Sequence, residues 1–295
     1  MKRYRQILAA FLAVCVLFLS GCNLFETKLA RAVEKMSRKD NCHFTLSVDL
    51  ELALKTDSDS EDGAERALTL PGRFEAEGIL YANPLQMQAN AGFSMAGSKT
   101  RWECWLEKDE GAYYLYSRLN DGTLWQKQGL ADDGKNRVKG LGYIVKGAES
   151  FALVGEETLG DLTAERYDGV IPGEYISGLL KIYRLQEWLS DELGLQLADG
   201  LFDDLADVPC SVWMDTESRM IVRAEAELGD LLSQLLSRQL AENREAVSFD
   251  TLGLDVSLEK AHLSLLLSDF DGAEAFHVPA EAKSAWGGEA MPWDS

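Results

Sequence analysis

From residue 44 to residue 54 every even position is apolar: Phe44, Leu46, Val48, Leu50, Leu52 and Leu54. The positions between them hold Thr45, Ser47, Asp49, Glu51 and Ala53. A helix would scatter these leucines around its whole circumference, whereas a strand places residues i, i+2 and i+4 on one side. The stretch therefore calls for a long strand with one dry face and one wet face. Such a strand is not stable alone. It needs paired neighbours and an apolar layer against its dry face.

The neighbours are written in the same period. Residues 72–81, 85–95, 99–107, 112–118 and 124–128 alternate apolar and polar, and the last two flank Asn120-Asp121-Gly122, a hairpin signal. No helical pattern interrupts this meander, so its sheet is expected to be antiparallel. Further strands are expected over 151–157 and 162–171, joined at Gly160-Asp161, over 210–214 and 220–228, and over about 254–267. In the last of these Val256, Leu258, His262 and Leu266 oppose Ala261, Leu263, Leu265 and Leu267. Large side chains occupy both sides of the strands around Trp102 and Tyr113.

Helical spacing supplies the covering layer. It marks residues 27–37 through Leu29, Ala30, Val33 and Met36, and residues 231–240 through a run of leucines. The longest such pattern, 174–193, carries Ile176, Leu179, Leu180, Tyr183, Leu185 and Leu189, with a short continuation expected over 195–205. Residues 56–67 read as an acidic loop, and 129–150 as loop with a short helix near 143–148. The expected fold class is α+β: one curved antiparallel sheet of about ten strands, covered by helices on its concave face. It forms a single domain over residues 22–283, followed by a flexible tail over 284–295.

Ahead of the domain, Lys2, Arg3 and Arg5 precede an unbroken apolar run of thirteen residues, Ile7 to Leu19. A positive head and a short apolar middle mark a secretory signal. Thirteen residues are too few to span a bilayer, which takes about 20. The run closes on Leu19-Ser20-Gly21-Cys22, which resembles a bacterial lipobox. That resemblance implies cleavage after residue 21 and lipid attachment to the Cys22 sulfur. The alternatives are an ordinary signal that happens to hold a cysteine, or an uncleaved anchor. Without residues 1–21 the chain has 26 basic and 49 acidic side chains, a formal charge of −23 over 274 residues. Such a charge repels nucleic acid and anionic head groups. Cys42, Cys104 and Cys210 remain, open to one bridge plus a free thiol or to three buried thiols.

Chemistry-bearing patterns are few. Gly129 to Lys135 has the spacing of a phosphate loop, but residue 136 is Asn and Asp132 and Asp133 would oppose phosphate. Asp57 to Gly63 hints at a calcium loop, but its glycine falls one place late and Leu68 stands where a bidentate Glu belongs. His43, His262 and His277 have no ligand spacing among them, and no Gly-x-Ser-x-Gly elbow occurs. Neither a metal, a cofactor nor a catalytic residue is expected.

The order of elements, the Val212–Val222 hairpin, Ser268-Asp269-Phe270-Asp271 and the His277-Val278-Pro279-Ala280-Glu281-Ala282 ending together resemble LolA/LppX-like envelope lipoproteins. The resemblance covers most of residues 27–283. It implies a half-barrel under helices, with space between them for acyl chains or other hydrophobic ligands. Met87, Phe93, Met95, Trp102 and Tyr114 are then candidate cavity walls, although any one such buried apolar residue is more often plain core. The expected role is non-catalytic ligand binding outside the cytoplasm, on the outer leaflet of the bacterial cell membrane, with Cys22 as the link to that membrane. The alternatives are an interaction lipoprotein with a filled core and an extracytoplasmic hydrolase. No oligomeric state is specified.

Overall fold

The computed structural model describes residues 28–56, 66–82, 84–109, 111–120, 122–130, 150–182, 186, 190, 197–242 and 254–285. The signal segment with Cys22, the acidic loop with its calcium-like run, most of the phosphate-loop-like stretch, the helix expected near 143–148 and the tail beyond 285 lie outside these residues. So do Tyr183, Leu185 and Leu189 of the longest helical pattern.

Helix α1 (Lys28–Ser37) leads into β1 (Asn41–Thr56), β2 (Arg66–Ala82), β3 (Leu85–Met95), β4 (Ser98–Asp109), β5 (Ala112–Leu119) and β6 (Gln126–Leu130). Then come β7 (Ala152–Leu159), β8 (Leu162–Ile171), α2 (Gly173–Ile182), β9 (Val208–Asp215) and β10 (Ile221–Glu227). The chain closes with α3 (Gly229–Glu242), β11 (Leu254–Ser268) and the short α4 (Ala280–Lys283).

All eleven strands join one antiparallel sheet in the order β6-β5-β4-β3-β2-β1-β11-β10-β9-β8-β7. The sheet is open. Its two edges, β6 and β7, are consecutive among the described strands. The strand with the strongest alternation, β1, is the middle one, with five strands to either side. Its dry face is matched in register by Leu80, Ala76 and Phe74 of β2 and by Leu267, Leu265 and Leu263 of β11.

The two halves of β11, which alternate out of phase, are reconciled by a bulge. Glu51 pairs with Lys260 but Leu52 pairs with Leu258, so Glu259 is left over. One extra residue shifts the phase by one. Val256 and Leu258 therefore join the face of Ala261, Leu263 and Leu265 instead of opposing them.

Of the short helix expected over 195–205, the described residues 197–205 form none. Residues 197–207 run as turns, because Gly200 (φ 64°) and Asp204 (φ 44°) adopt the left-handed conformation, which no right-handed helix can include. Arg238 of α3 secures the turns by donating to the carbonyls of Leu201 (3.1 Å) and Asp204 (3.2 Å). Gly173 lets α2 start against this segment: a Cβ there would lie 1.7 Å from the Leu205 carbonyl oxygen. The Gly173 amide instead donates to the Asp207 carboxylate at 2.8 Å.

Candidate functional site

Strand parity separates two surfaces. On one, a continuous apolar cluster runs across eight strands, from Tyr113 and Leu115 on β5, through Phe44 and Leu46 on β1, to Val208 and Cys210 on β9. Small residues fill its middle: Ala76, Ala89, Ala91, Ala224 and Ala226 are all buried. Met36 of α1, Ile176 and Leu180 of α2, and Leu231, Leu232 and Leu235 of α3 pack against it. Helix α3 is joined to the segment 197–207 by polar contacts. Gln234 accepts from the Ala206 amide (2.7 Å), Gln239 from the Ala198 amide (3.1 Å), and Ala198, Leu201 and Phe202 pack under Leu180 and Leu235. Towards the sheet α3 presents mostly leucine, apart from Ser233, whose hydroxyl donates to the Leu258 carbonyl at 3.1 Å.

Four of the five candidate wall residues share this apolar face. Met87 faces Leu80 and Leu106 across the register, Phe93 faces Phe74, and Trp102 faces Ala91. Met95 lies beside Gly72, where a Cβ would come within 3.2 Å of its terminal methyl. Tyr114 is on the opposite surface. It pairs with Glu107 and Gly129, its ring is 6.3 Å from that of Tyr116, and the Lys127 ammonium lies 4.1 Å from its centre.

That second surface explains the large side chains on both sides of β4 and β5. Val278 and the fully buried Ala282 cover Trp105 and Tyr116 there. Phe276 meets Trp105 and Tyr81 edge-on at 5.4 and 5.6 Å, and Lys283 pairs with Glu107 at 2.7 Å. Farther along, Trp213 is buried between Arg166 and Arg223, whose guanidinium carbons lie 5.2 and 4.8 Å from its ring, and its indole donates to Glu157 at 2.8 Å. Neither arrangement had a signal in the sequence, because the partners lie far apart along the chain.

The three cysteines are free and buried, all on the apolar face. Burial pushes the Cys42 thiol up to about 11 and that of Cys210 to about 12, and raises that of Cys104 as well. At ordinary pH they are inert apolar side chains. Among the described residues no group of three or more His, Cys, Asp and Glu side chains converges as a metal site, and no helix is long and apolar enough to cross a membrane.

Helix α1 is held by one buried carboxylate. Glu165 receives the Lys28 ammonium (2.8 Å) and the Tyr167 hydroxyl (2.6 Å), with Arg219 at 3.4 Å. Beneath these contacts Leu29 and Ala32 pack on Tyr167 and Met214. Lys28, and after it Tyr167, holds the Glu165 carboxyl below the usual carboxylate range. A carboxyl so depressed contributes stability above its unfolded pKa of about 4.3, and that contribution is lost as pH falls through the folded value. Breaking a fully buried pair costs about 3–5 kcal/mol. Lys28 and Arg219 are more than half exposed, so solvent screening reduces the expectation here to about 1–2 kcal/mol. In Glu165→Gln, hydrogen exchange of α1 amides should therefore accelerate several-fold at pH 7. The native protein should fall to the same protection, with the intrinsic exchange rate divided out at each pH, only in acid. Unchanged exchange in the variant would show that the apolar contacts alone seat the helix.

An apolar pocket of about 30 Å³ opens between α1, the start of β1 and the end of β2. A shallow polar groove of about 280 Å³, lined by His43, Glu77, Gln88 and Asn90 among others, lies on the opposite surface.

The sequence matches no protein-family model and no curated protein. In structure the chain is similar over most of its length to two mycobacterial lipoproteins. Lipoprotein LppX of Mycobacterium tuberculosis is 13% identical, with 84% of this chain and 95% of that one covered and a TM-score of 0.45. LprF of Mycobacterium bovis is 13% identical, with 92% and 97% covered and a TM-score of 0.41. A β-barrel-like protein of unknown function from Brucella abortus is 8% identical, with 76% and 98% covered and a TM-score of 0.23.

Proposed function

We propose that this chain is an extracytoplasmic lipoprotein, held on the outer leaflet by acyl chains on Cys22, that binds a lipid or other hydrophobic ligand without chemistry. In this reading the sheet curves as a half-barrel, with α1–α3 on its concave side and the ligand between them. The observation that carries it is the apolar face itself: one unbroken cluster across eight strands, covered by helices instead of a second sheet. Met87, Phe93, Met95 and Trp102 are the walls nearest such a ligand.

Volume decides what binding requires. Ligand sites measure about 300–1,000 Å³, and the apolar pocket holds about 30 Å³. In this reading the structure is the closed form, and a ligand enters by displacing helices. The bonds from residues 197–207 to α3, and from Asp207 to the Gly173 amide of α2, favour their moving as one body over the leucine contacts with the sheet. The same small volume favours a second reading, an interaction lipoprotein with a permanently filled core. Native mass spectrometry of the domain from Asn23 onward separates the two. The first predicts a co-purifying apolar molecule that Trp102→Ala or Met87→Ala changes in occupancy. A ligand-free protein that takes up no added phospholipid would leave only the second.

A further inference from the structure

Ser268-Asp269-Phe270-Asp271, singled out in the sequence, forms a strained turn after β11. Asp269 (φ 48°) and Asp271 (φ 60°) are both non-glycine residues in the left-handed region. Two in so short a span persist only where the surroundings over-determine them, as at clamps and switches. Here the turn is pinned to the junction of α1 and β1. The Asp271 carboxylate accepts from Lys39 (2.6 Å) and from the Asp40 amide (2.8 Å). The Asp271 amide donates to the Asn41 carbonyl, and the Asn41 side chain accepts from the Ala273 amide, both at 2.9 Å. Between the two strained residues stands Phe270, packed against the apolar cluster at the pocket lined by Val33, Met36, Cys42 and Leu80.

This pocket has a definite position. β1 starts, and β2 and β11 end, at one end of the sheet, and antiparallel pairing puts the β7–β8 and β9–β10 turns at the same end. α1 crosses that end, with Lys28 on Glu165 and Lys35 donating to the Ser218 carbonyl at 2.6 Å. α2 and α3 start at the other end, after β8 and β10. Six residue steps separate Cys22 from Lys28 and span at most about 20 Å. With Cys22 in the bilayer, the pocket mouth is on the membrane side.

We propose that this pocket is the port through which one acyl chain of a bilayer phospholipid reaches the apolar face, with Phe270 as its gate. The inference rests on the hydrophobic-ligand reading and on anchoring at Cys22. The lining chemistry fits an alkyl chain, since Lys39, the one cation at the rim, is already paired with Asp271. At about 30 Å³ the closed pocket admits only the first carbons of a chain. Passage beyond them requires Phe270 to swing out.

The test uses the full chain in phosphatidylcholine vesicles doped with a phosphatidylcholine that bears a diazirine at the end of one acyl chain. After irradiation, adducts are mapped by peptide mass spectrometry. Adducts are expected on the segments holding Val33, Met36 and Leu80. Ala82→Trp, at an exposed position of the mouth, should reduce them several-fold, and Phe270→Ala should increase them several-fold. Adducts confined to Ile176, Leu232 and their neighbours, insensitive to both variants, would overturn the port and leave the ligand reading standing. Labelling that appears only in Cys22→Ser would assign the pocket to the anchor's own chains and also overturn it. No adduct anywhere in the domain would overturn both readings.

Discussion

A Cys22→Ser variant is expected to leave the membrane fraction almost completely. Burial in the bilayer is worth about 0.8 kcal/mol per CH₂, and one acyl chain gives only marginal, reversible binding whereas two hold firmly. Neither the net charge nor a described helix would compensate. The formal charge of −23 after residue 21 repels anionic lipid, and no helix among the described residues can cross a bilayer. The thirteen apolar residues of the signal are too few to span one. Fractionation after detergent-free washing is the measurement. A Cys22→Ser protein that stays with the membrane defeats the anchor assignment, and with it the membrane-side placement of the pocket.

Leu46→Ala should lower the stability of the folded domain by about 3 kcal/mol. Leu46 is 1% exposed on the middle strand, opposite Ala76 on one side and Leu265 on the other. Ala76 cannot expand into the space, so the lost transfer energy is joined by a cavity term, within the usual range of about 2–5 kcal/mol. That is a large share of a typical total of about 5–15 kcal/mol. Leu266→Ala serves as the control on the neighbouring strand. Leu266 is 45% exposed on the opposite surface, and its loss should stay within about 0.5 kcal/mol. Urea denaturation midpoints at constant m-value read both. Equal shifts for the two variants would mean that the faces are wrongly assigned.

Local alternation made the face assignments legible where a strand is uninterrupted. Leu46, Met87 and Trp102 are buried on the side their parity indicates. Tyr114 shows where such reasoning stops. Its parity excludes it from the face of Leu115 and Met87, but an aromatic residue looked like a wall because the segment that covers the other surface was hidden. That segment, Phe276 to Ala282, returns to β4 and β5 from the far end of the chain. The bulge at Glu259 is similar. The phase slip between Leu258 and Ala261 is visible in the sequence, but only pairing against β1 reveals a skipped residue instead of two opposed faces.

By itself the sequence determined the strands, their antiparallel pairing and the helices over Lys28–Ser37, Gly173–Ile182 and Gly229–Glu242. These depend on residue spacing and on chain neighbours, and both are local. Tertiary structure alone decided that the first and last long strands meet at the centre of the sheet, and that three cysteines share one apolar face as free thiols. It also decided that Glu165 pairs with Lys28 of α1, and that Phe270 lines a pocket beside that helix. Contacts across more than a hundred residues form only when the whole sheet has assembled, so no window of sequence contains them.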